Sequence, residues 1–62
     1  MKGFIEVTNK EQEMKQLINL TQVESFTELY ESTLIHFNQN NRVTVKETYE
    51  EIKQLIKKSL AD

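Results

Sequence analysis

The hydrophobic pattern in the last third of the chain changes its period from two residues to about 3.6. Val43 and Val45 alternate with polar neighbours, as in a half-buried strand, and an amphipathic pattern typical of a helix follows directly. Thr48 fits the N-cap of that helix and Glu51 its third position, which is the capping-box pattern. A strand that leads into a capped helix, in a chain otherwise rich in strand-forming residues, predicts an α+β fold.

The predicted helix covers residues 49–60 and carries one apolar stripe. Glutamates lie in its first turn and lysines in its last turn, where each complements the helix dipole. The stripe consists of Tyr49, Ile52, Leu55, Ile56 and Leu60. Because such a stripe must be covered, we expect the helix to pack on one face of a small sheet.

Short runs of strand-forming residues precede the helix. They predict an antiparallel sheet of four to five strands in meander order, at residues 4–8, 15–20, 23–28, 33–37 and 42–46 of a single domain, 1–62. The clearest turn is the amide-rich segment 38–41, because asparagine tolerates positive φ better than other non-glycine residues. A partly helical segment between residues 11 and 30 is the alternative, since good helix formers open it. The strand formers downstream and the missing capping box favour strands.

The predicted strands carry more apolar side chains than one helix can cover. The face toward the helix is expected to hold Ile5, Val7, Ile35, Phe37, Val43 and Val45. Phe4, Phe26 and Leu34, with one of the Leu17/Ile18 pair, are then expected on the opposite face, where an antiparallel sheet in water should be polar. Scattered exposed apolar residues, which monomers commonly tolerate, are the alternative interpretation.

A chain of 62 residues is expected to need additional stabilisation. Domains of this size bury only about 60% of the surface that their unfolded chains expose. The chain has no cysteine, so disulfides are excluded. We therefore expect a homodimer or higher homo-oligomer that uses Phe4, Phe26 and Leu34, or an edge strand paired across a two-fold axis.

No residue pattern indicates a catalytic, cofactor or metal site. His36 is the only histidine, and no cysteine or Gly-x-Ser-x-Gly elbow accompanies it, so we expect it to pack beside Leu34. One glycine excludes a glycine-rich phosphate loop, and the lack of cysteine excludes the usual zinc sites. We expect a non-catalytic module for protein–protein interaction or structure.

Net charge and hydropathy limit the classes of partner and the cellular location that we expect. A net charge of −2 supplies no general attraction to nucleic acid or anionic lipid. The alternative function is a small nucleic-acid-binding regulator that uses the helix face of Lys53, Lys57 and Lys58 together with Arg42. Apolar runs do not exceed two residues, which excludes a membrane span, and no signal-peptide pattern follows Met1. We expect a cytoplasmic protein.

Several short motifs follow one another along the chain. They are FIEVT at residues 4–8, LIN at 17–19, TLI at 33–35, VTVKE at 43–47, YEEI at 49–52 and LI at 55–56. Their order resembles that of the FlbD/SwrD-type flagellar and swarming-motility proteins of bacteria over most of the chain. Those proteins commonly have an Asn-Gly-type turn where this chain has residues 38–41, and segment 22–32 matches them poorly. The resemblance implies a small bacterial protein of similar fold and no catalytic residues.

Overall fold

The computed structural model describes residues 2–61 as one antiparallel sheet of five strands with a C-terminal helix. The strands are β1 (Phe4–Asn9), β2 (Met14–Asn19), β3 (Val23–Leu29), β4 (Ser32–Phe37) and β5 (Arg42–Val45), and the helix is α1 (Tyr49–Ala61). A 3₁₀ turn, Leu20–Gln22, links β2 to β3. The α+β class predicted from the hydrophobic periods is confirmed. Of residues 11–30, only Leu20–Gln22 is helical, as this 3₁₀ turn, and the good helix formers that open the segment lie in a turn and in β2.

The order of the strands in the sheet is β2-β1-β5-β4-β3, which differs from the expected plain meander. Asn19 ends β2 by accepting hydrogen bonds from the backbone N–H of Thr21 at 3.0 Å and from its hydroxyl at 2.8 Å. The chain leaves the β1–β2 hairpin at this turn and begins a second group of strands, β3 to β5. The two groups meet where β1 pairs with β5, so β2 and β3 form the edges of the sheet.

The hydrophobic core lies on one face of the sheet, under α1. Cross-strand pairing places Ile5 opposite Ile18 and Ile35 opposite Val43, so alternate residues of each strand point to the same side. The buried aliphatic side chains of residues 2–61 are Ile5, Val7, Ile18, Ile35, Val45 and Ile52. Full burial of such a side chain contributes about 1.5–3 kcal/mol, which makes this face the main source of stability.

Phe26 lies on the core face, so the expectation that it lies on the opposite face is wrong. The pairing of β3 with β4 shifts register between Val23 and Ser25, the signature of a β-bulge. The extra residue changes the alternation, and Val23 and Phe26 both pack against the core although they are three residues apart. Of the Leu17/Ile18 pair, Ile18 is buried and Leu17 is the exposed member.

The start of α1 has the expected capping box. The backbone N–H of Thr48 donates to Glu51 Oε1 at 2.9 Å, and the backbone N–H of Glu51 donates to Thr48 Oγ1 at 3.2 Å. The far end of the apolar stripe differs from the expectation, because Leu60 is exposed and Ser59 is buried. Ser59 follows Ile52 by almost two full turns, whereas Leu60 is rotated about 80° away from it.

Three non-glycine residues adopt positive φ in the turns of the described chain. Asn40 has a φ of 62°, which fits the amide-rich turn at residues 38–41. Glu13, before β2, and Glu31, between β3 and β4, each have a φ of 55°. A residue with a Cβ pays about 1–2 kcal/mol for the left-handed conformation, which glycine adopts freely.

We predict that Glu31→Gly raises the free energy of unfolding by about 0.5 kcal/mol. Glycine removes the steric cost at positive φ, and this gain exceeds the extra conformational entropy it gives the unfolded chain. Urea unfolding followed by far-UV circular dichroism measures the change. Glu11→Gly is the matched control, because Glu11 has negative φ and the same substitution should destabilise there. A loss of stability with Glu31→Gly as large as in the control would contradict the prediction.

Candidate interaction site

The two strand groups are joined at a short junction between β1 and β5. Within residues 2–61 their register is the single pair Asn9–Val45. Two backbone hydrogen bonds flank this pair, from Lys10 N to Thr44 O and from Lys46 N to Thr8 O, both at 2.9 Å. Beyond the junction β5 ends, and α1 contacts β1 in its place.

Glu47 completes the junction with its side chain. Its carboxylate accepts the backbone N–H of Thr8 at 2.8 Å and the Thr8 hydroxyl at 3.0 Å. Its backbone carbonyl accepts the hydroxyl of the fully buried Thr33 at 2.9 Å. Hydrogen bonds to a carboxylate are roughly twice as strong as neutral ones. Glu47 therefore fixes β1 and β4 relative to the start of α1.

The sequence around Glu47 does not mark it as a junction residue. The residue lies between the last strand and the N-cap Thr48, where a charged side chain normally faces solvent. Its partners are 39 and 14 residues away, so no local pattern indicates them. Glu47 does lie where the hydrophobic pattern changes from strand to helix, but Lys46 shares this position, so the pattern does not distinguish the two residues.

The predicted contact residues Phe4, Phe26 and Leu34 do not form one patch. Phe26 packs against the core, whereas Phe4 and Leu34 lie on the outer face, which is the face of the sheet opposite the core. Both are half-buried. Phe4 lies at the end of β1 far from Asn9, the residue at which β1 meets β5, a separation of about 17 Å along the strand. The outer face between them is mostly polar.

The outer face also holds His36, which lies on the same side of β4 as Leu34, opposite Arg42 and Ser25. A shallow concavity of about 550 Å³ lies between Leu34, Arg42 and residues 9–12, and it is open to solvent. Residues 2–61 contain no group of three or more histidine, aspartate or glutamate side chains arranged to hold a metal ion.

The basic residues of the alternative function are not brought together. Lys53 Nζ lies 5.3 Å from the centroid of the Tyr49 ring and 3.4 Å from Glu50 Oε1, so its charge is already engaged on the helix. Lys57 and Lys58 are exposed on α1, which packs on the core face. Arg42 lies on the outer face of β5 and lines a different concavity from Lys58.

The edge strand β2 is regular and its outward backbone groups can be assigned. Its register with β1 runs from Asn9–Met14 to Phe4–Asn19 without a shift. The hydrogen bond from Leu20 N to Gly3 O, at 2.8 Å, makes Gly3–Leu20 a hydrogen-bonded pair. Because such pairs alternate in an antiparallel ladder, the even-numbered residues of β2 bond to β1. Lys15, Leu17 and Asn19 therefore direct their backbone N–H groups away from the sheet.

Exposed apolar side chains lie on this same strand. Met14 is 60% exposed and Leu17 is 54% exposed, one on each face of β2. An edge that combines free backbone donors and acceptors with exposed apolar side chains is a template for another strand. We take the β2 edge, residues 14–19, as the candidate interaction site.

Comparison with protein-family models, with curated proteins and with solved structures finds no match to this chain. In the described part of the chain, residues 2–61, no helix combines the length and the apolar character that a bilayer crossing requires. The β2 edge is thus supported by backbone geometry and side-chain exposure in this chain.

We predict that Glu47→Ala lowers the free energy of unfolding by about 2 kcal/mol. The substitution removes both hydrogen bonds to the carboxylate and leaves the Thr8 N–H and hydroxyl unpaired. Glu11→Ala is the control, because Glu11 is an exposed turn residue and its removal should change stability by less than about 0.5 kcal/mol. Urea unfolding of both variants measures the difference, and equal stabilities would contradict the role assigned to Glu47.

Proposed function

We propose that this chain is a non-catalytic protein–protein interaction module that self-associates. One observation carries the proposal: β2 is a regular, unbulged edge strand flanked by the exposed side chains of Met14 and Leu17. A second strand added to such an edge gains backbone hydrogen bonds and covers apolar surface at the same time.

The other edge of the sheet, β3, is less suited to self-pairing. Its bulge between Val23 and Ser25 interrupts the regular ladder and increases the local twist, a common protection of edges. Glu24 and Glu28 are exposed on β3, so two antiparallel copies would bring like charges together. β2 carries Lys15 as its only charge. These differences favour β2 as the edge that pairs.

Size and resemblance support the same class of function. A 62-residue chain has a small core, and binding to a second copy stabilises the folded state by mass action. The FlbD/SwrD-type motility proteins, which the motif order resembles, have no catalytic residues associated with them. Both points favour a protein that acts through its surface.

The contact should be weak. A six-residue strand is about 20 Å long, so an interface centred on β2 falls below the roughly 1,200 Å² of surface at which stable complexes begin. We therefore expect an equilibrium between monomer and dimer that depends on concentration.

We predict that sedimentation velocity shows a rising average mass between about 10 μM and about 1 mM. Leu17→Lys should abolish this rise, because it replaces an exposed apolar side chain at the edge with a charge. Leu29→Lys is the matched control: Leu29 is 39% exposed on the opposite edge, and the variant should associate like the parent chain.

A mass that stays monomeric over the whole range would contradict self-association. If Leu29→Lys abolishes association and Leu17→Lys leaves it intact, the contact lies on the β3 edge, and the proposed β2 contact is wrong. Circular dichroism of both variants confirms that each remains folded.

A further inference from the structure

The outward-facing backbone groups of β2 restrict how a second copy can bind. We infer that two chains pair antiparallel along β2 about a two-fold axis at Leu17, which joins two five-stranded sheets into one. This inference rests on the proposed self-association and adds its register, its symmetry and its central residue.

The alternation of inward and outward backbone N–H groups along β2 is the first restriction on the register. Since Lys15, Leu17 and Asn19 present the outward N–H groups, a symmetric pairing must place these odd-numbered residues opposite one another. The axis can then pass through Lys15, Gln16, Leu17 or Ile18, but not between two neighbouring residues. Asn19 is the last residue of β2 that can take part in such a pairing, because the 3₁₀ turn begins at Leu20.

Side-chain pairing then selects the register. An axis at Lys15 sets two lysines directly opposite each other, which is destabilising. An axis at Gln16 sets each Leu17 opposite a lysine, and an axis at Ile18 sets it opposite Asn19. With the axis at Leu17, the two Leu17 side chains meet on the outer face, and Lys15 lies opposite Asn19 of the second copy.

The same register also covers the apolar side chain on the other face of β2. Gln16 then lies opposite Ile18 of the second copy, and Met14 lies beside its Leu20, the first residue of the 3₁₀ turn that follows β2. Leu20 is half-buried and packs against the core, so Met14 would extend an existing apolar cluster. A two-fold axis at Leu17 thus gives both Met14 and Leu17 an apolar neighbour in the second copy.

The position of α1 is compatible with this arrangement. Pairing of edge strands about an axis normal to the sheet leaves both helices on the same face of the joined sheet. Met14 and Gln16, the core-side residues at the start of β2, are exposed, so α1 does not cover the part of the edge that the second copy approaches.

Single-cysteine variants test the register, because the chain contains no cysteine of its own. Leu17→Cys places two thiols on residues whose Cα atoms are about 5.5 Å apart across the axis. Lys15→Cys, on the same strand and face, places them about 14 Å apart. A short bis-maleimide that cannot span the longer distance should give covalent dimer with Leu17→Cys and little with Lys15→Cys. Leu29→Cys reports on the opposite edge, and sedimentation is measured in parallel.

Each outcome decides a different point. Preferential cross-linking of Leu17→Cys supports the axis at Leu17. Equal yields for Lys15→Cys and Leu17→Cys, or a higher yield for Lys15→Cys, overturn this register. Cross-linking of Leu29→Cys alone, in a chain that associates, overturns the β2 edge and leaves self-association standing. A chain that sediments as a monomer at every concentration overturns the proposed function itself.

Discussion

The short junction between β1 and β5 determines the rest of this structure. In the described part of the chain, the two strand groups share one cross-strand pair, Asn9–Val45, and two flanking backbone hydrogen bonds. The carboxylate of Glu47 supplies the acceptor that the Thr8 N–H needs once β5 has ended. Because Glu47 directly precedes the helix cap, this side chain also sets where α1 starts relative to the sheet. A surface ion pair from Lys46 to Glu13, at 3.1 Å, adds a further contact at the same end.

The junction leaves the sheet open, and the two open edges differ. On β3, the bulge directs Phe26 toward the core. The same bulge disrupts the hydrogen-bond ladder that another chain would extend, which protects this edge. On β2, pairing remains regular and Leu17 and Met14 stay exposed. The proposed function rests on this asymmetry, because a regular edge strand is a template for pairing with another strand.

Local features of the fold could be predicted from the sequence. The Thr48–Glu51 capping box, the Ile52–Leu55–Ile56 stripe and the positive φ of Asn40 depend on residues within a few positions of one another. The two-residue spacing of Ile5 and Val7, and of Val43 and Val45, likewise predicts correctly which side chains of β1 and β5 face the core. Each of these patterns has a period or a chemistry that the local backbone imposes.

Features set by distant pairing could not be predicted. The sequence of β3 alone looks like regular alternation and predicts Phe26 on the outer face, because a bulge is defined by the partner strand. The edge positions of β2 and β3 depend on the Asn9–Val45 pair, which joins residues 36 positions apart. Of the three expected contact residues, Phe4 and Leu34 lie on the outer face, but the register separates them. Leu17, which the proposal places at the contact, is not among the contact residues that the sequence predicts, because its exposure depends on which member of the Leu17/Ile18 pair faces the core.

Amide hydrogen exchange, resolved by residue and measured at low and high protein concentration, tests the central claim most directly. In dilute solution, the amides of Gln16 and Ile18 should be protected by β1, while those of Lys15 and Leu17 exchange rapidly. At concentrations where the chain associates, Lys15 and Leu17 should become protected as well. Contradiction would come from odd-numbered amides that are already protected in dilute solution, or that still exchange rapidly in the associated state.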